Sequence, residues 1–369
     1  MKKKIFNIML LTFALSSCTS NEATTDTTTT DTNPVENTET ENETTENEVT
    51  ENETTEDSGE IKSYEFPEKY WQILDYMATE VSYFDENNML IADTLALGEY
   101  MPEIMDNNSA VYEIPVSEAL DMSEQIEASI LDYIETLKTE YKTFTDVTAN
   151  EDYTDFNFFV DDSFSYALFV EFESFILNSV CYQIYTDVPL DEITSNLVII
   201  DNNSGEIINT FSYENFFTTV SYPYELLEYF SSDLSLFETY NIDVAYNDTT
   251  FDITLPRTFS FFIGELYKYQ LDNAKSTMQN LTELSNLYSI EVNDTYTELN
   301  IYIDNAFYDE TIPYVYPSLY AAIYGYYTYN ELDINEVDII FNTYDYGTDE
   351  LVESIKLEDL YDKISTFTY

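Results

Sequence analysis

The chain contains nearly the same strand twice. Tyr153 to Phe164 reads YTDFNFFVDDSF and Tyr296 to Phe307 reads YTELNIYIDNAF. Each alternates apolar and polar residues and then ends on aspartate, the period-2 pattern of a half-buried β-strand entering a turn. The register extends beyond the strand: Val147 falls on Ile290, Asn150 on Asn293, Asn157 on Asn300 and Asp161 on Asp304. Upstream, IEASILDYIETLKTEY and LDNAKSTMQNLTELSN both place apolar residues three and four apart, as amphipathic helices do. Downstream come two aromatic helices, YALFVEFESFILNSVCYQIY and IPYVYPSLYAAIYGYYTYN, then two hairpins, NLVIIDNNSGEIINTFS and VDIIFNTYDYGTDELVESI, then the short helices YENFF and LEDLYDKI. This order predicts an α+β protein made of two tandem repeats of a helix-strand-strand-helix-strand-strand unit, with antiparallel hairpins packed on helices. The repeats are expected at residues 61–220 and 221–369, with a seam at Ser221 to Pro223. The first copy carries an extra segment whose start, VSYFDENNMLIAD, reads as a hairpin turning at Asp85 to Asn88; YNIDVAYNDTTFDITLP is its shorter counterpart in the second.

The N-terminus has a different grammar. MKKKIFNIMLLTFALSSC places three lysines before an apolar run and small residues before Cys18, the layout of a secretory signal. The apolar run is shorter than the roughly 20 residues of a spanning helix. Leu15-Ser16-Ser17-Cys18 resembles the lipobox of bacterial lipoproteins, which implies cleavage before Cys18 and a lipidated cysteine at the new N-terminus. Residues 19–60 are nearly all Thr, Glu, Asn and Asp, a composition that cannot bury a core and predicts a disordered tether. Like charges extend it beyond the roughly 35 Å of a flexible coil of about 40 residues.

Charge restricts the partners. With 73 acidic against 12 basic residues, no histidine and a net charge of −61, the surface repels nucleic acid and anionic polymers and attracts cations or a basic protein. After lipidation of Cys18, Cys181 is the remaining thiol, so no intramolecular disulfide forms. Cys181 lies in an apolar run with no histidine to activate it and reads as a small buried residue. The absence of histidine also argues against zinc and against serine or cysteine hydrolase triads. In DNNSGE, Asp201 and Asn203 mimic the first ligands of a calcium loop, but Ser212 stands where the closing glutamate belongs, and a hairpin turn explains these residues more simply. Carboxylate pairs suited to glycoside hydrolysis carry no information in a chain with this many acids. Arg257, the one arginine, suits a salt bridge. Tyr316, Tyr320, Tyr324 and Tyr327 recur at helical spacing and form one stripe, core if it faces the sheet and a recognition surface if it faces solvent.

In its order of elements the folded part resembles tandem GerMN domains, a sporulation and germination family. The carriers are VSYFDENNMLIAD, FNFFVDDSF and LVIIDNNSGEI, in which Tyr83, Phe84, Asp85, Phe164 and Asp201 occupy family positions, with Phe307 in the second copy. The family's glycine-proline pair and IPxGT turn are absent, and its terminal Asp-Gly is stretched to Asp201 through Gly205. The resemblance implies a non-catalytic envelope domain of the ring-building kind, which docks onto other envelope proteins. The expected protein is therefore a lipid-anchored, extracytoplasmic, non-enzymatic binding or assembly module without a cofactor. Its rivals are a solute-binding lipoprotein of a transporter, disfavoured by hairpins that argue for antiparallel pairs, and a carboxylate-dependent glycosidase.

Overall fold

A computed structural model describes residues 59–77, 82–85, 87–97, 100–224, 242–278 and 286–367. The expected signal peptide, Cys18 and all but the last two residues of the expected tether lie outside them.

The described chain opens with β1 (Ile61–Phe66), α1 (Glu68–Met77), β2 (Glu103–Ile104) and β3 (Ala110–Pro115), which make an antiparallel sheet of order β1-β3-β2. Pro115 is the N-cap of the long helix α2 (Val116–Glu140), which follows β3 directly. Next come β4 (Phe144–Ala149), β5 (Asp155–Val160), α3 (Phe169–Tyr185), β6 (Asn196–Asp201) and β7 (Ile207–Ser212), whose strands form a sheet of order β4-β5-β6-β7. A second three-stranded sheet, β8-β10-β9, is built from β8 (Phe217–Pro223), β9 (Asp243–Tyr246) and β10 (Thr250–Pro256). Here Pro256 caps α4 (Arg257–Asp272), as Pro115 caps α2. The short α5 (Ala274–Met278) precedes β11 (Leu287–Val292), β12 (Glu298–Ile303), α6 (Tyr308–Tyr329), β13 (Ile340–Asp345), β14 (Glu350–Lys356) and α7 (Leu357–Ile364); the strands form the sheet β11-β12-β13-β14. Among the described residues the architecture is mixed α+β with four sheets.

The two four-stranded sheets share pairing direction and irregularities. In each, the outer pairs are antiparallel and the central pair, β5–β6 or β12–β13, is parallel. Register shifts occur at Phe144/Asp146 in one and Leu287/Ser289 in the other, and again at Ile199/Ile200 and Thr343/Tyr344. The turns before β5 and β12 also agree. Tyr153 and Tyr296 adopt φ of 54° and 57°, a left-handed conformation uncommon for a bulky side chain. Asn150 Oδ1 accepts from the Thr154 and Asp155 amides, and Asn293 Oδ1 from those of Thr297 and Glu298. Each tyrosine hydroxyl donates to an acid on the preceding helix, Tyr153 to Glu127 at 2.8 Å and Tyr296 to Asp272 at 2.7 Å. These anchors hold the ring inside while the backbone bears the strained φ.

Phe156, Phe158 and Val160 of β5 and Leu299, Ile301 and Ile303 of β12 point into the core. Alternation leaves Asn157, Phe159, Val198 and Ile200 on the opposite face of one sheet, and Asn300, Tyr302, Asn342 and Tyr344 on that of the other, all half-buried. Helices meet on the inner side, where α2 packs on α3, α3 on α4, and α4 along α6.

Four expectations are corrected. The sheets are not built of antiparallel hairpins alone: a strand-helix-strand passage through α3 or α6 brings the chain back to lay the next strand parallel. YENFF is a turn leading into β8 rather than a helix. The long helix before β11 is Arg257–Asp272, so LDNAKSTMQNLTELSN holds only its end, α5 and residues outside the described set. The anticipated seam at Ser221 to Pro223 lies within β8, which pairs with β10 and not with the preceding sheet. The turn at Asp85 to Asn88 is present, closed by the Phe84–Leu90 bridge and by Asp85 Oδ1 accepting from the Asn87 and Met89 amides.

Candidate functional site

The tyrosine stripe of α6 divides between core and cleft. Tyr316, Tyr320 and Tyr327 are buried and Tyr324 is half-buried. The Tyr316 hydroxyl shares a 2.8 Å hydrogen bond with Thr343 on β13 and donates to Glu353 Oε2 on β14 at 3.1 Å. Tyr308 donates to that same oxygen, and Lys363 of α7 donates to Oε1 at 3.0 Å. Burial alone would raise the Glu353 carboxyl, but hydrogen bonds from Tyr308 and Lys363 outweigh it and hold the group below its ordinary range. This network fastens α7 to the sheet and is structural. Tyr327 donates to the Thr295 carbonyl in the turn before β12.

Tyr320, at the edge of the core, and Tyr324, with ring centroids 5.5 Å apart, also line a cleft of about 430 Å³. Its other walls are the segment 334–339, which leads into β13, and residues 356–358, where β14 passes into α7. Ile334, Val337, Ile339 and Leu357 supply apolar surface, and Glu336, Asp338 and Glu358 supply carboxylates. Lys356 is the one cation in the lining; its ammonium lies 3.0 Å from Asp338 and 3.8 Å from Glu358. The hydrogen bond and the charge of Asp338 raise its pKa, so it stays protonated. The volume suits a small ligand or a single side chain. Only the two tyrosines of this cleft were visible in sequence. Lys356 carried a usable signal, as one of few cations in so acidic a chain, but nothing linked it to residues 334–339.

The remaining candidates sit apart from this cleft. Asp201 Oδ1 accepts from the amides of Asn203 at 2.7 Å and Ser204 at 2.8 Å, so its carboxylate organises the β6–β7 turn, while the Asn203 amide donates to Asp162. Asp345 makes the equivalent bond to the Gly347 amide in the β13–β14 turn. Among the described residues no group of three or more acidic or cysteine side chains is placed to hold a metal ion. Burial pushes the Cys181 thiol up to about 12 against a lesser opposing effect of its hydrogen bond with Tyr70, so at neutral pH it is no nucleophile. Arg257 forms the anticipated salt bridge, a two-pronged one to Glu331 with N···O distances of 2.7 and 2.6 Å, and it also donates to the Thr210 carbonyl of β7. Glu173, unnoticed in sequence although it interrupts the apolar run FVEFESFIL, is fully buried on α3 and accepts a 2.8 Å hydrogen bond from Thr258 of α4. No helix among the described residues is long and apolar enough to cross a membrane.

No family model, curated protein or solved structure matches this chain. The functional reading therefore rests on its own residues.

Proposed function

We propose that this protein is a lipid-anchored extracytoplasmic lipoprotein whose body, a duplicated α+β unit of the GerMN kind, is a non-enzymatic docking module for other envelope proteins. The observation that carries the reading is the pair of like four-stranded sheets, each covered by helices on one face and half-buried on the other. An open sheet face with apolar and tyrosine side chains offers contact area without catalytic groups. Shared register shifts, strained tyrosines and capping asparagines support duplication. The net charge of −61 favours a basic partner.

The test is crosslinking in intact envelopes with the full-length chain, beside a variant carrying Phe159→Ser and Tyr344→Ser on the two open faces. A protein partner captured by the parent and lost in the variant supports docking. Failure to capture any partner, or equal capture by both, refutes it. The parallel central pairs favour the solute-binding reading more than the sequence did, because strand-helix-strand units build such lobes. That reading requires small-solute binding that is unaffected by the open-face variant.

A further inference from the structure

We propose that the cleft beneath Tyr320 and Tyr324 binds an organic cation, an ammonium or guanidinium group carried on an apolar stem. Three properties of the lining choose this class. First, its charge is unbalanced: Glu336, Asp338 and Glu358 face a single ammonium, Lys356, which Asp338 already engages at 3.0 Å. An anion would find no uncommitted cation here, whereas an incoming cation would meet three carboxylates that share one ammonium, with Glu336 outside the Lys356 pairs to Asp338 and, at 3.8 Å, to Glu358. Second, the lining includes two tyrosine rings, and an aromatic face attracts a desolvated cation through its quadrupole. Third, Ile334, Val337, Ile339 and Leu357 give apolar contact that a hydrated metal ion would not use but a methylene chain would. The described residues also lack an acidic group arranged for metal coordination. The field of the whole molecule concentrates cations at its surface and speeds their arrival.

Two sources offer this chemistry, a free diamine and a lysine or arginine side chain of a protein. The inference does not depend on the docking reading, since a free diamine needs no envelope partner.

The test uses full-length protein titrated with 1,5-diaminopentane, with the peptide acetyl-Gly-Lys-Gly-amide, and with the norleucine analogue of that peptide, which keeps the stem and loses the charge. Binding is followed by calorimetry and by shifts of tyrosine ring resonances. The cleft is expected to take the cations and not the norleucine peptide, and Glu336→Gln with Glu358→Gln should weaken binding about tenfold. Both substitutions are at exposed positions, so folding is preserved and a loss is informative. Tighter binding of the diamine assigns a free amine, and tighter binding of the lysine peptide assigns a partner side chain; each supports the site. Equal affinity of parent and double variant, equal uptake of the norleucine peptide, or no binding of either cation overturns it.

Discussion

Glu173 is a carboxyl group sealed from bulk solvent. Thr258 satisfies Oε1, Oε2 has no hydrogen-bond partner among the described residues, and desolvation pushes the pKa up to about 8 despite the Thr258 hydrogen bond. Between the ordinary glutamate value and that raised one, the folded protein holds a proton that the unfolded chain has released. Stability is therefore fully present below the ordinary value and falls as pH rises through the window, ending near 8. Glu173→Gln keeps the shape and removes the ionisation. Its thermal midpoint is expected to be flatter than the parent's between about pH 5 and 8, and higher above it; parallel melting curves would remove Glu173 as the cause. The turn aspartates act with opposite sign. Hydrogen bonds from Ser163 hold Asp161 below its ordinary value, and the Ser204 and Asn203 amides do the same for Asp201. Their contribution is present above the ordinary aspartate value and lost as pH falls through the depressed one. Asp161→Ala should lower the thermal midpoint by a constant amount at neutral and alkaline pH and shrink the fall on the acid limb, leaving the slope of the alkaline limb unchanged; an unchanged acid limb would remove Asp161 as a contributor.

At the scale of elements, α4 packs tightly against α6. This packing depends on two of the chain's six glycines: a Cβ on Gly264 would strike the Asn330 amide, and one on Gly325 would strike the Tyr267 ring. Beside them Tyr267 stacks on Tyr329 at 5.8 Å and Ser260 donates to the Tyr329 carbonyl. Gly325→Ala should cost about 1–3 kcal/mol through overpacking, read as a lowered denaturant midpoint; an unchanged midpoint would show that the ring moves aside freely. Strands, hairpin turns and the helices α2, α3, α6 and α7 were legible because alternation, helical spacing and Asp or Asn at turns are local signals. Pairing direction was not. Tyr153 to Val160 reads the same whether its neighbour runs parallel or antiparallel, and only the passage through α3 decides. The stripe from Tyr316 to Tyr327 announced one helix face but not what covers it, because that depends on β13, β14 and α7. The cleft needed three separate segments to meet, which no spacing encodes.

Across the whole molecule, charge sets the conditions for folding. Lys62, Lys138, Arg257, Lys268, Lys356 and Lys363 each sit within 4 Å of an acid, and these pairs are too few to relieve the remaining acids. Added salt screens repulsion over roughly 10 Å at 0.1 M, so monovalent salt should raise the thermal midpoint. A midpoint that falls with salt would show that the ion pairs outweigh the repulsion. On the proposed lipid-anchored reading, Cys18→Ser should move the protein from the membrane fraction to the soluble one, since stable anchoring takes two acyl chains; equal fractionation of parent and variant would refute the anchor. Arg257 touches three parts of the chain at once: its amide donates to the Phe216 carbonyl, its guanidinium to the Thr210 carbonyl and to Glu331 beyond α6. Tension between β7 and the turn after α6 is shared by this crossing point, where the two bonds to Glu331 resist together. Arg257 is thus a mechanical rivet, and Arg257→Lys should leave the resting fold in place but let it give way at lower force when the chain is pulled from its two ends.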